Sequence, residues 1–529
     1  MYVSVKRVVI CYLLAVVLFS LCILRVFAVI KNPENFQAAV NESTRKIVLN
    51  YSRGSIFDCN NERITNEKSI IYAVIFSKPT AVACLYKYFT GSEIEKITEE
   101  IRSQGFALRT VSQRIEEDGI YCFSAFSHAD DGLSAKHLIG YVDAKGKGVC
   151  GIEAAYEDIL SGKGENSVTF SLDGQGKVLA GAEPELSYDY AKENTGVRLT
   201  INKKIQQITE QEAMAIELGA VVVTEVKTGK IRAFVSRPDY KLSDLGTALE
   251  NENQPLLNRA LSTYNIGSVF KPYVAAAGYE MGITARVDCV GYTNVDGLSF
   301  ACHNLGGHGV MDLTSALKVS CNSFFYNYIE TVGASAVVNL ARKAGFESSV
   351  YLAKGLVGKA GSLGSTEPSL LSRRALCNFS IGQGELMLSP LAITNLYVAI
   401  ANGGEYRQPS LVEGTVKNGN FTKKEELPAS VRVMSRETAK RLKEDLAAVL
   451  TEGGTGEKAK PLLTTAAGKT GTAQTGVIKN GKSVTNSWFC GFFPLENPKY
   501  VVTVLAENQT SGAGEVFAAI ADEITKFEE

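Results

Sequence analysis

Ser268 and Lys271 stand three residues apart in Gly267-Ser268-Val269-Phe270-Lys271-Pro272, where an apolar, helix-like stretch begins. Residues three apart share a helix face, with β-carbons about 5–6 Å apart. A helix starting near Gly267 therefore brings the two side chains together, and Pro272 suits that start because proline is tolerated only in a first turn. A serine hydroxyl is a poor nucleophile until an adjacent base takes its proton. A free lysine, with a pKa of about 10.4, serves as that base only if burial or a nearby cation lowers the value. Lys469 is the candidate cation. Taken by itself, the pair also reads as a helix N-cap beside a solvated lysine.

Two further short sets supply what such chemistry needs. Ser320-Cys321-Asn322 follows the helix-like Leu313-Thr314-Ser315-Ala316-Leu317. From a turn, Ser320 can relay a proton between Lys271 and a leaving amine, and Asn322 can hold a substrate amide, although serine and asparagine also favour plain turns. Lys469-Thr470-Gly471-Thr472 follows Ala466-Ala467-Gly468. An edge strand here offers backbone pairing to an extended peptide, and Gly471 permits close approach. Lys469 and the hydroxyls of Thr470 and Thr472 suit a terminal carboxylate. The N–H groups of Ser268 and Thr472 then form an oxyanion hole, in which one donor contributes about 3–4 kcal/mol.

A separate constellation is Cys289, Cys302, His308 and Cys321, with twelve, five and twelve residues between successive members. Three thiolates and one imidazole make a closed tetrahedral zinc set. Two of the chain's four histidines, His303 and His308, fall in this window. The alternatives are buried free thiols or a disulfide. Because Cys321 lies between Ser320 and Asn322, a metal there would pin the loop that carries both.

The elements that position these residues belong to a chain of 529 residues, too long for one ordinary domain. Lys and Arg number 55 against 56 Asp and Glu, so no basic excess points to a nucleic-acid partner. Val8 to Leu24 carries no charge and the apolar pattern continues through Ile30, enough to span a bilayer. Lys6 and Arg7 precede it, which favours a cytoplasmic N-terminus and an extracytoplasmic remainder. A cleaved signal peptide is the alternative, but no clear A-x-A site follows. Nine of eleven cysteines lie beyond the anchor, an odd number that excludes complete internal pairing.

We read three parts: residues 1–30 as cytoplasmic start and transmembrane anchor, 31–195 as a non-catalytic domain, and 196–529 as the catalytic domain. In the second, 92–104 reads as a capped amphipathic helix, 137–141 as a short strand, and Gly151 to Leu160 as a helix stopped by Gly162 and Gly164. In the third, a helix over 204–217 precedes a hairpin of Ala220–Thr224 with Ile231–Val235. Helices fill most of 268–450. Strands return at Ser487–Phe493 and Tyr500–Leu505, before a last helix over 514–527. Together these describe an α+β fold with an antiparallel sheet and a helical body.

The three motifs in this order resemble those of penicillin-recognising serine enzymes, the class A β-lactamases and penicillin-binding proteins. The C-terminal two-thirds is similar to a penicillin-binding transpeptidase. The likeness rests on Asn258-Arg259 and Tyr264 ahead of Gly267-Ser268, Gly382-Gln383-Gly384 with Ser389-Pro390, Thr455-Gly456, Gly468 through Gln474, and Trp488-Phe489. Arg53-Gly54, Ile56, Asp58 and Gly151-Ile152-Glu153 resemble the pedestal, or dimerisation-like, domain of the class B, monofunctional members. Ile266 departs from the proline usual before the Gly-Ser. The resemblance implies a peptidoglycan D,D-transpeptidase that cross-links stem peptides through an acyl-enzyme on Ser268 and is acylated there by β-lactams. It implies no cofactor for the chemistry; the structural zinc is suspected from the cysteine–histidine spacing alone. With no glycan-polymerising domain read ahead of the pedestal, it also implies a membrane-embedded glycosyltransferase as partner. The rival readings are a β-lactamase or D,D-carboxypeptidase, against which the anchor and pedestal argue, and an acylated sensor or scaffold without cross-linking activity.

Overall fold

In the computed structural model, residues 5–31, 43–143, 145–188, 195–364, 367–368, 371–479 and 481–529 are described. Val5–Lys31 is one helix of 27 residues, about 40 Å long at 1.5 Å per residue. Among the described residues it is the one helix long and apolar enough to cross a membrane. The chain divides into two units.

The first unit comprises Met1–Ser52, Ser69–Phe126 and Gly162–Ala191. Its centre is the antiparallel sheet of Phe106–Val111, Ser69–Phe76 and Ile120–Phe126. Strand alternation sends Ala73 and Ile75 to one face and Tyr72, Val74 and Phe76 to the other. The first face packs against Ile97 and Ile101 of the helix Gly91–Gln104. Thr90 and Glu93 form the capping box of that helix, and Gly105, at φ 86°, ends it, in agreement with the sequence reading. The second face meets Phe123, Phe170, Ile47 and Leu49, with the Phe76 and Phe170 rings 4.9 Å apart, edge to face.

The second unit comprises Arg53–Lys68, Ser127–Ser161 and Lys192–Glu529. It is not the contiguous 196–529 expected: Ser55–Phe57 pairs with Gly196–Arg198, Asp58 accepts from Lys203 N at 3.2 Å and Lys136 lies 2.6 Å from Asp239. Arg53 donates to Glu153 Oε2 at 2.6 Å, to the Glu153 backbone oxygen at 3.0 Å and to Glu157 Oε2 at 2.7 Å. Glu153 is also 2.6 Å from His128 Nε2. Asp58, wholly buried, accepts from the backbone N–H groups of Asn60 and Glu62. Ser55–Phe57 runs parallel to Thr195–Leu199 in a four-stranded sheet. A buried charge left unpaired is far costlier than one held this way, so these segments stay with their partners.

The core of this unit is a five-stranded antiparallel sheet. Its order is Ile231–Arg237, Gly219–Glu225, Tyr500–Ala506, Lys482–Phe493, Ala467–Lys479. Neighbouring residues of one strand show that both faces are covered. Phe489 packs on Phe517 of the helix Ala513–Glu528, with ring centroids 4.6 Å apart. Cys490, pointing the opposite way, meets Thr503, whose hydroxyl is 2.8 Å from that of Thr394 on the helix Pro390–Ala401. Ala467–Lys479 is left as an edge.

Several sequence expectations change. The segment 137–141 is not a strand: Lys136–Ile139 is a helical turn ended by Gly140 at φ 82°. A strand would turn Leu138 and Ile139 to opposite faces, whereas both are wholly buried and Lys136 is fixed 2.6 Å from Asp239. The 151–160 helix is two pieces, Gly151–Ala155 and Glu157–Leu160, and Gly162 and Gly164 lie in the strand Ser161–Ser171. The helix expected over 204–217 is Lys203–Glu212 followed by a 3₁₀ turn. Between 268 and 450 the helices alternate with hairpins, among them Tyr292–Val295 with Leu298–Ala301 and Val412–Lys417 with Asn420–Lys424.

Candidate active site

The first motif forms as a 3₁₀ turn, Gly267–Phe270, that runs into the helix Lys271–Glu280 with Pro272 in its first turn. Gly267 has φ 60°, and its N–H donates to the Gly382 oxygen at 2.8 Å. A β-carbon on Gly267 would lie 2.7 Å from the Thr472 oxygen, and one on Gly382 would lie 2.0 Å from the Gly267 oxygen. Glycine at both positions lets three chain segments close around Ser268. Tyr397 Oη donates to the Val269 oxygen at 3.0 Å and steadies the turn from below.

Lys271 is wholly buried. Its Nζ donates to the Ser320 backbone oxygen at 2.7 Å, to Asn322 Oδ1 at 2.7 Å and to Ser320 Oγ at 3.2 Å. Ser268 Oγ, half-buried at the cleft, makes no hydrogen bond among the described residues; catalytic hydrogen bonds are often long before substrate is bound. Burial pushes the Lys271 pKa down to about 7, against the opposing pull of Cys321 and Cys302. Lys469 was expected to be the cause. Lys469 is instead itself wholly buried and held well below the ordinary lysine value, first by burial and then by the charge on Lys271. Loss of solvation is therefore the main force on both amines.

Ser320 is eight per cent exposed and adopts φ 55°, in the left-handed region. Two neighbours explain how a non-glycine residue is kept there. Lys271 holds its oxygen, and Cys321 N donates to the Ala316 oxygen at 2.9 Å while Cys321 Sγ caps the helix Asn322–Val332 by accepting from Phe324 N.

The third motif lies on the edge strand, with Lys469 opposite Cys490 and Gly471 opposite Trp488. Lys469 Nζ donates to the Thr470 oxygen at 3.2 Å and to its Oγ1 at 3.3 Å. A β-carbon on Gly471 would meet the Ile266 oxygen and Val269 Cγ1 at 3.0 Å, so glycine allows the strand to lie against the serine turn. Thr470 Oγ1 donates to Thr455 Oγ1 at 2.9 Å, and Thr455 N donates to the Lys318 oxygen at 3.1 Å. Thr455 thus ties the edge strand to the segment leading into Ser320. Between these parts opens a cleft of about 360 Å³ lined by Ser268, Ser320, Asn322, Thr455, Thr470, Gly471 and Thr472. Sequence reasoning missed other lining residues, His303, Lys458, Thr510, Ser511 and Glu515. They come from three separate segments, the loop at His303, the 3₁₀ turn at Lys458 and 510–515 where a loop enters the last helix, and no spacing rule links them.

The cysteine–histidine set also converges. The donor atoms of Cys289, Cys302, His308 and Cys321 all lie within 4.8 Å of one another. Cys289 Sγ and Cys302 Sγ are 3.5 and 3.6 Å from His308 Nδ1, and Cys302 Sγ is 4.0 Å from Cys321 Sγ. A tetrahedral zinc with Zn–S of about 2.3 Å and Zn–N of about 2.0 Å sets S···N edges of about 3.5 Å and S···S edges of about 3.8 Å. The residues present fit that ion in type and spacing. All three cysteines are free and buried. The backbone shapes the cluster, with His308 N donating to the Cys289 oxygen at 2.9 Å and Cys302 N to the Gly291 oxygen at 2.8 Å.

A sequence profile of the penicillin binding protein transpeptidase domain matches residues 219–526. Stage V sporulation protein D of Bacillus subtilis is 28% identical over 508 residues, covering 88% of this chain and 75% of that protein. Peptidoglycan D,D-transpeptidase PbpA of Mycobacterium tuberculosis is 31% identical over 356 residues, 61% of this chain and 70% of that protein. The chain spans 58% of the length of peptidoglycan D,D-transpeptidase MrdA of Acinetobacter baumannii, at 28% identity. In fold, the chain is similar to penicillin binding protein 3 of Mycobacterium tuberculosis complexed with aztreonam. The TM-score is 0.65 at 24% identity, over 91% of this chain and 97% of the other.

Proposed function

The chain belongs to the penicillin-binding protein transpeptidase family, and from that premise we propose that it is a membrane-anchored, class B peptidoglycan D,D-transpeptidase. Ser268 attacks the penultimate D-Ala carbonyl of a stem peptide, and neutral Lys271 takes the hydroxyl proton. The oxyanion falls to the N–H groups of Ser268 and Thr472. Ser320 passes the proton from Lys271 to the departing D-Ala amine. Asn322 holds the substrate amide, and Lys469 with the Thr470 and Thr472 hydroxyls holds the terminal carboxylate. Gly471 keeps the edge strand close enough to pair with the peptide. An acceptor amine from a second stem then resolves the acyl-enzyme, and β-lactams acylate the same serine.

The observation that carries this reading is the buried Lys271 amine, its pKa lowered to about 7, hydrogen-bonded to Ser320 and Asn322 at the cleft that Ser268 lines. At neutral pH about half of such a lysine is free to accept a proton. The test is covalent labelling by a fluorescent penicillin, together with cross-linking of lipid-linked precursor in the presence of a glycosyltransferase. Ser268→Ala should abolish labelling with the fold intact. Full labelling of that variant would refute the assignment.

Finer parts of the proposal extend the same reading. The helix Val5–Lys31 is a single-pass anchor with its N-terminus in the cytoplasm, as Lys6 and Arg7 favour. The first unit serves as pedestal and the second carries the transpeptidase domain. A membrane-embedded glycosyltransferase supplies the glycan strand. Cys289, Cys302, His308 and Cys321 hold a structural zinc, which supplies folding energy and no chemistry; Cys321 then fixes Ser320 and Asn322 on either side of it.

A further inference from the structure

Transpeptidation differs from hydrolysis in what resolves the acyl-enzyme. The acceptor is a primary amine, which reaches the site as an ammonium at neutral pH because alkyl amines have pKa values near 10. It must compete with water, so a site that collects cations gains on that competition. Of the residues lining the cleft, one bears a carboxylate: Glu515. It is exposed, in the first turn of the helix Ala513–Glu528, and makes no ion pair among the described residues. Its backbone is nonetheless fixed. Ala513, Val516 and Phe517 are buried on either side of it. A β-carbon on Gly514 would touch the Ala459 β-carbon at 3.0 Å, so the helix start rests on the 3₁₀ turn Glu457–Ala459. That turn follows Thr455, which is bonded to Thr470 of the edge strand. Glu515 therefore belongs to the wall that adjoins the strand holding the donor's terminal D-Ala, the space vacated when D-Ala leaves.

We propose that Glu515 binds the ammonium of the acceptor and holds it in the cleft that Ser268 lines. The inference rests on the transpeptidase reading above. The ammonium first loses one proton to solvent. Its nitrogen then bonds to the acyl carbon, the bond from that carbon to Ser268 Oγ breaks, and the nitrogen's second proton returns through Ser320 and then Lys271 to Ser268 Oγ. The products are an amide and free serine. Glu515 stays ionised and contributes charge alone.

The experiment uses the full-length chain in detergent, an N-acyl-D-alanyl thioester as donor, and two acceptors, Nα-acetyl-lysinamide as the cation and hydroxylamine as a nucleophile that is neutral at pH 7.5. Glu515→Gln should raise the KM for the lysinamide about 1.5- to fivefold, the range of an exposed charge pair. Added salt should raise it in the parent chain and leave the variant flat. Hydroxylamine transfer and penicillin acylation should keep their rates, and Glu515→Asp should restore most of the lysinamide affinity. An unchanged lysinamide KM in a variant whose parent transfers to amines would overturn the Glu515 assignment alone. So would equal losses with both acceptors and with penicillin, since that pattern marks a helix-capping role. A parent chain that only hydrolyses the donor would overturn the transpeptidase reading and this inference together.

Discussion

Lys271 Nζ lies 2.7 Å from the backbone oxygen of Ser320, a residue forty-nine positions away that sits at φ 55°. The amine thus does two things at once. It stabilises the left-handed turn that carries Ser320 and Asn322, and it is held at the two residues that line the cleft together with Ser268.

The pH dependence of acylation follows from that amine. Its pKa in the folded chain is lowered to about 7, and the neutral form is the active one. Acylation by a β-lactam should therefore rise with pH, reaching half its maximum near 7 and levelling off above it. Lys271→Arg keeps a charge at every accessible pH. It should slow acylation by about 10²–10⁴-fold, the usual loss of a general base. A flat profile between pH 6 and 8 in the parent chain would contradict the role.

Gly382 offers a test of how the serine turn is built. Its φ of 74° and the 2.0 Å approach of a β-carbon to the Gly267 oxygen leave no room for a side chain. Gly382→Ala should lower Tm by about 5 °C or more, from left-handed strain of about 1–2 kcal/mol plus the clash. Acylation should fall further than stability, because the displaced segment adjoins Ser268. Gly403→Ala is the control. It shares the positive φ but has nothing within 4 Å of its β-carbon, and should leave acylation unchanged.

What could be read from the sequence was chemistry concentrated in short runs. Ser268 and Lys271, Ser320 and Asn322, and Lys469 to Thr472 each announce themselves by type and spacing, and all line or underlie one cleft. Cys289, Cys302, His308 and Cys321 were legible for the same reason. What could not be read depends on distant packing. The turn at 136–139 forms because Lys136 reaches Asp239, a hundred residues on. The pairing of Ser55–Phe57 with Gly196–Arg198 crosses the domain limit drawn at residue 195. Thr455 and Glu515 join the cleft through contacts no local pattern encodes. The hairpin at Asp296-Gly297 was legible and missed: both residues have positive φ, as an Asp-Gly hairpin turn requires.

The orientation of the anchor can be checked on intact protoplasts. Added protease should digest the chain beyond Lys31 and spare the residues ahead of the helix, as a cytoplasmic Lys6 and Arg7 demand. Protection of the large domain would reverse the topology, and with it any access to peptidoglycan.

The metal prediction joins the two constellations. Purified protein should hold one zinc per chain by elemental analysis, because the four donor atoms lie within 4.8 Å of one another, with separations of 3.5, 3.6 and 4.0 Å close to tetrahedral edges. His308→Ala should lower metal content and Tm together, since binding is coupled to folding. Chelation should have the same effect on the parent chain. Acylation should fall in both cases, because the ion would hold Cys321 and, through it, Ser320 and Asn322 on either side. Metal-free protein of full stability would make the cluster three ordinary buried thiols beside a histidine. Zinc loss without any change in acylation would separate the cluster from the Ser320 loop.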